Sequence, residues 1–269
     1  MAITTGDGYV GSAKQIIPFT KTAPTTTIAA TRFSVFDKAG NPGAGTLALT
    51  TATTGVCPTD ATAGYPSINA FSGGAKGYLS RVAFASSVVG RIEVWDRLFG
   101  INVSLLALAT TTLASQASYA SRVPNGTDYR GLRIFLEITA AVSATATTVT
   151  VTYTNQDGTT GRTTGATASL SGFTVNRLVE LPLQAGDTGV QKIESVVVGG
   201  TVATTGSVNV IVLRPLWTGR VPLVNGGDIH GLDKTGMPEV FADSALYVTC
   251  IPDSTSSGVP DLNIEIASG

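Results

Sequence analysis

The sequence predicts an all-β protein: an antiparallel β-sandwich or jelly-roll-like body with an extended N-terminal arm. Three observations predict it. Only 13% of the 269 residues are charged, about half the usual share, and Thr, Val, Ala, Gly and Ser take their place. Thr and Val suit the pleated, half-buried surface of a sheet. The 31 glycines and 12 prolines cut the chain into short pieces with tight turns between them. Several of those pieces alternate apolar and polar residues, the period of a half-buried strand.

Residues 1–70 read as the arm. Thr4 to Gly8 is turn-like, 16–19 (Ile-Ile-Pro-Phe) is a brief apolar anchor, and 25–30 and 32–37 are candidate short strands. The loop Gly40-Asn-Pro-Gly-Ala-Gly45 follows, and Pro58, Gly64 and Pro66 keep breaking the pattern. Such a segment wraps on its own body or on a neighbour.

Residues 71–269 read as the body. Strands are predicted at 78–85, 91–96, 132–138, 147–154, 179–183, 191–198, 208–213, 245–251 and 262–267. In 132–138 the side chains of Leu132, Ile134, Leu136 and Ile138 share one face, and Arg133 and Glu137 the other. In 147–154 Val149, Val151 and Tyr153 alternate with threonines, ahead of a hairpin turn at Asp157-Gly158 that tolerates positive φ. Pro182 cannot donate to a ladder, so its strand is an edge or stops there. Residues 103–116 carry leucines at a helical spacing, but Thr110-Thr111-Thr112 disfavours helix. No fixed repeat points to a solenoid or propeller.

Composition also restricts function. The net charge is −1, without the basic footprint a nucleic-acid partner requires. The N-terminus has neither the basic nor the apolar region of a secretory signal, and no apolar run reaches a membrane span of roughly 18 residues. The expected setting is a cytoplasm, with no membrane partner. Cys57 and Cys250 are expected as reduced, small hydrophobic residues there.

Chemistry is scarce. His230 is the one histidine; it lies in a Gly-rich stretch that reads as a surface loop, and with Asp228 it would supply only two metal ligands, too few for a zinc site. Paired carboxylates for glycoside cleavage would come from Glu93, Asp96, Glu137, Glu180, Glu194, Glu239 or Glu265. Glu93, Glu137 and Glu265 fall on the polar faces of alternating strands, where carboxylates are expected to be solvated. Gly40 to Gly45 lacks the Lys-Ser/Thr of a phosphate loop. No enzyme activity, no cofactor and no metal are expected. Trp217 reads as core, and Trp95 as core or interface. By residue type and position the candidate interface anchors are Trp95, Arg97, Phe99, Phe19 and Phe33, because buried aromatics and arginines dominate association energies.

Several segments resemble virion structural proteins of tailed bacteriophages: 40–48 (GNPGAGTLA), 94–99 (VWDRLF), 118–124 (SYASRVP), 126–132 (GTDYRGL), 151–164 (VTYTNQDGTTGRTT), 181–187 (LPLQAGD), 214–220 (RPLWTGR) and Tyr247. The resemblance runs across nearly the whole chain and carries no catalytic motif. It implies a structural component of the virion. The preferred place is the capsid exterior, as a decoration or cement protein bound to the major capsid protein and to itself, as a homotrimer or another closed oligomer. A neck, tail or fibre component is the alternative. A glycan-binding or glycan-cleaving β module is less favoured, since aromatics make up only 7%.

Overall fold

A computed structural model describes residues 3–269. About 45% of the chain is strand and 7% helix, so the all-β expectation holds. In chain order, a short helix α1 (Gly6–Gly11) leads into β1 (Ala13–Lys21), β2 (Arg32–Ser34) and β3 (Gly40–Asn41). Then come β4 (Gly77–Ser86), β5 (Gly90–Ser104), β6 (Thr110–Thr112), β7 (Arg133–Ala140), β8 (Thr147–Asn155) and β9 (Arg162–Thr163). β10 (Arg177–Leu181), β11 (Val190–Gly200), β12 (Ser207–Val221) and β13 (Gly227–His230) follow. A helical turn α2 (Leu232–Thr235), β14 (Glu239–Val240), β15 (Leu246–Pro252) and β16 (Pro260–Ser268) complete it. The strand pairings described are antiparallel. No helix among the described residues is long and apolar enough to cross a membrane.

The chain divides into two compact units, and not at residue 70. Unit 1 comprises Met1–Thr46, Thr59–Asp96 and Leu216–Gly269; unit 2 comprises Leu47–Pro58 and Arg97–Pro215. The segment read as one arm is thus shared between them, and β5 and β12 contribute residues to both.

In unit 1 a sheet of order β13-β4-β16-β1-β3, with β14 also on β4, forms one layer. The pairing of β15 with β2 and with the first part of β5 forms the other. Ile17, Phe19, Leu79, Val82, Leu262 and Ile264 from the first layer close on Ile92, Val94, Val248 and Cys250 from the second. This is a sandwich, with the alternating strands supplying the inward face that their sequence predicts. β1 lies inside the sheet rather than off it, pairing with β16 from Ala13 to Thr20.

In unit 2 the sheet β6-β11-β8-β9 turns Val149, Val151, Tyr153, Ile193 and Val196 inward. They meet Ile101, Ile134, Leu136, Ile138, Val208 and Val210 from β5, β7 and β12. The hairpin between β8 and β9 forms as its sequence predicts, with Gly158 at φ 83°. β10 stops at Leu181, the last residue before Pro182. Residues 103–116 hold the end of β5 and all of β6, so the branched threonines prevail over the leucine spacing.

β5, β7 and β12 are buried on both faces. In β5 every residue from Ile92 to Val103 is buried, and in β12 every residue from Val208 to Arg214. Strands β10, β2, β15, β5, β12 and β7 close into a barrel, and segments of the first 70 residues also pack against its buried side chains. In unit 2 the segment Leu47–Pro58 lies against Asn209 and Asn102: Asn209 donates to the Leu47 carbonyl at 2.7 Å, and the Asn102 amide N–H donates to the Thr50 carbonyl at 2.8 Å. In unit 1 Phe36 stacks on Tyr65 and Tyr247, with ring centroids 4.7 and 5.8 Å apart.

Candidate functional site

The expected anchors are core residues. Trp95 (4% exposed), Arg97 (0%), Phe99 (0%), Phe19 (3%) and Phe33 (0%) retain almost no surface to offer a partner. Phe19 faces the sandwich interior from β1. Trp95, Arg97 and Phe99 lie in the stretch of β5 that is buried from Ile92 to Val103, and Phe33 lies on β2, paired with β15. Residue type alone does not separate an anchor at an interface from one inside the chain.

The carboxylates expected to be solvated are buried. Glu137 and Arg97 form an ion pair of 2.8 Å with both side chains fully buried, and Asn209 donates to the same Glu137 oxygen at 2.7 Å. In unit 1 Arg32 grips Glu93 through Nε at 2.6 Å and Nη2 at 3.1 Å. Thr249 donates to Glu93 at 2.9 Å while accepting from Trp95 Nε1 at 2.9 Å. Glu265 accepts from Tyr9 of α1 at 2.8 Å and from Ser80 at 2.7 Å, which explains its burial on an otherwise exposed strand face. Asp96 holds the turn before β15 through the Ser244 hydroxyl and the Ala245 N–H. Glu180 pairs with Arg133, Glu239 with Lys76, and Glu194 accepts from Thr154.

His230 is not on a loop. It ends the edge strand β13, packs edge-on against Phe84 with ring centroids 5.0 Å apart, and accepts a hydrogen bond on Nδ1 from Trp217 Nε1 at 3.0 Å. Its Nε2 lies 3.5 Å from Asp228, whose carboxylate also meets Lys234 at 3.5 Å. Among the described residues no group of three or more His, Cys, Asp and Glu is gathered to hold a metal. Cys57 and Cys250 are free thiols; burial pushes the Cys250 thiol up to about 12. Trp217 is core, as expected, at 6% exposure.

Two further charged groups are locked into loops. Asp187 accepts from Tyr153, Asn155 and Arg162 at 2.7, 2.8 and 2.9 Å, and this set, the Arg162 bond foremost, lowers its pKa to about 2. The buried Lys21 ammonium donates to the carbonyls of Lys38, Pro42 and Gly43 at 3.0, 2.9 and 3.3 Å, and desolvation lowers its pKa to about 8. Both are legible only once the loops are placed.

Each unit leaves one sheet face open. In unit 1 the outer face runs across the register Ile229–Ala83–Asn263–Pro18. Its next row is Gly227–Ala85–Asp261–Thr20. Small residues contribute to the floor of a shallow hollow of about 560 Å³, which Ile229, 53% exposed, also lines. In unit 2 the outer face carries Thr148, Thr150, Thr152 and Thr154 of β8. Thr112, Ser195, Thr152 and Thr163 stand opposite one another across four strands. A hollow of about 460 Å³ opens at the Thr154 end. The alternation in β8 already signals this hydroxyl face; the cross-strand row needs the register.

No family model matches the chain, and no curated protein matches it. Among solved structures, the VP2 subviral particle of infectious bursal disease virus aligns with 96% of this chain and 80% of its own, at 11% identity and a TM-score of 0.22. The Gx strain of the same virus aligns over the same shares, at 11% identity and a TM-score of 0.20. At these values neither fold nor function passes from those proteins to this one.

Proposed function

We propose that the chain is a non-catalytic structural component of a bacteriophage virion, a decoration or cement protein bound to the outside of the capsid shell. One observation carries the reading: the open sheet face of unit 1, across Ile229–Ala83–Asn263–Pro18 and Gly227–Ala85–Asp261–Thr20, carries small and apolar residues with Asp261 as the one charge in these two rows. Surfaces of this kind favour association over solvation. The sequence resemblance to virion structural proteins supports the same reading. The partners it implies are the major capsid protein and further copies of this chain, a closed trimer suiting the local three-fold positions of a shell.

The test is the particle itself. Quantitative mass spectrometry of purified virions should find hundreds of copies, and cryo-EM should place density for both units on the outer shell. A dozen copies or fewer, with density confined to neck, tail or fibre, would move the chain to that alternative structural role. Absence from the particle would overturn both.

A further inference from the structure

We propose that the outer face of the β9-β8-β11-β6 sheet, with the hollow at its Thr154 end, binds neutral carbohydrate chains. The floor is rich in hydroxyls. Thr112, Ser195, Thr152 and Thr163 form one row across four strands, and Thr110, Val197 and Thr150 the next. Neighbouring strands lie about 4.8 Å apart and alternate residues about 6.7 Å apart, so the hydroxyls form a grid. Each hydroxyl both donates and accepts, which lets the grid meet sugar hydroxyls of either polarity. No ionised side chain stands in these two rows, so nothing there selects a polyanion.

The hollow adds a place to fix one end of such a chain. Its volume, about 460 Å³, falls within the range of ligand sites. Gln116, Gln191, Lys192, Glu194 and Tyr129 contribute to its lining. Lys192 and Glu194 cancel in charge, which again favours a neutral ligand. Glu194 is held by Thr154 Oγ1 at 2.8 Å and by the Gly161 N–H at 3.2 Å. Gln116 accepts the Ile193 N–H through Oε1 at 2.7 Å, which orients the amide without using its NH2. Side chains held in this way lose little freedom on binding. A bulge between Ile193 and Ser195 sets Glu194 at the mouth of the hollow. The site belongs to unit 2 alone and does not depend on a virion role.

The test uses the full chain in affinity electrophoresis through gels containing dextran or soluble starch, and titrations with chitohexaose and with heparin. At least one neutral chain should retard or bind the protein, and heparin should not. The double variant Thr112→Val/Thr152→Val, which keeps shape and strand preference, should weaken binding at least tenfold. Thr112→Ser/Thr152→Ser should restore most of it. Thermal melts of each variant separate loss of fold from loss of hydroxyls. Failure of all three neutral probes, preference for heparin, or undiminished binding by the folded valine variant would each overturn the proposal.

Discussion

Arg97 and Glu137 show what residue identity alone does not reveal. A fully buried ion pair is stable only while both members and their hydrogen bonds are present; removing one strands a charge in a medium that cannot solvate it, at a cost of about 3–5 kcal/mol. Glu137→Gln should therefore lower unfolding stability by about that much in urea titration. The double variant Arg97→Met/Glu137→Leu should recover most of the loss, since the uncompensated charge is gone. A single-variant cost below about 1 kcal/mol would mean that water reaches the pair. Asp187 gives a pH-dependent counterpart. Its folded pKa of about 2 lies below the ordinary 3.8, so the unfolded chain binds its proton first as pH falls. The stabilisation is complete above about 3.8 and is lost as pH drops towards 2. Asp187→Asn should flatten that part of the acid-unfolding curve relative to the parent; an unchanged difference between the two proteins from pH 5 to pH 2 would contradict the assignment.

At the scale of elements, the alternating strands form where the sequence places them, because a period of two needs only one buried face to be selected. β5 and β12 extend beyond their predicted ends. The sequence reading of β12 stops at Leu213, ahead of Pro215, yet the strand continues to Val221. Its pairing with β7 ends at Leu213, so Pro215 takes no place in that ladder and its missing donor does no harm there. Further along the same strand, a Cβ on Gly219 would run into the rings of Trp217 and Phe84. Gly219→Ala should displace Trp217 from His230, cost about 1–3 kcal/mol through overpacking, and shift tryptophan emission. An unaltered spectrum and melting temperature would show that the rings can yield. β13 escapes the sequence reading because Gly227-Asp228-Ile229-His230 has neither alternation nor β-branched density; only pairing with β4 makes it a strand.

At the scale of the molecule, the N-terminal residues decide whether polar strand faces are wet or dry. Ile17, Phe19 and Val35 belong to the core of unit 1, and Leu47 and Thr50 bond to the second face of unit 2. A fragment beginning at residue 71 should therefore lack a cooperative thermal transition and be digested rapidly by protease, whereas the full chain should resist. A fragment with a sharp transition and native-like circular dichroism would show that residues 1–70 are a dispensable arm.

The sequence by itself determined the all-β class, the faces of the alternating strands and the hydroxyl face of β8, because each follows from local preference and a period of two. Tertiary structure decided three things: that the strands divide into two open sheets and a closed barrel, that Glu93, Glu137 and Glu265 are buried, and that the aromatic residues suited to an interface lie inside the chain. All three depend on segments far apart in sequence meeting in space. Alternation marks a polar face without saying what lies over it, and here residues 9, 32 and 47–50 supply the partners that turn a wet face into a buried one.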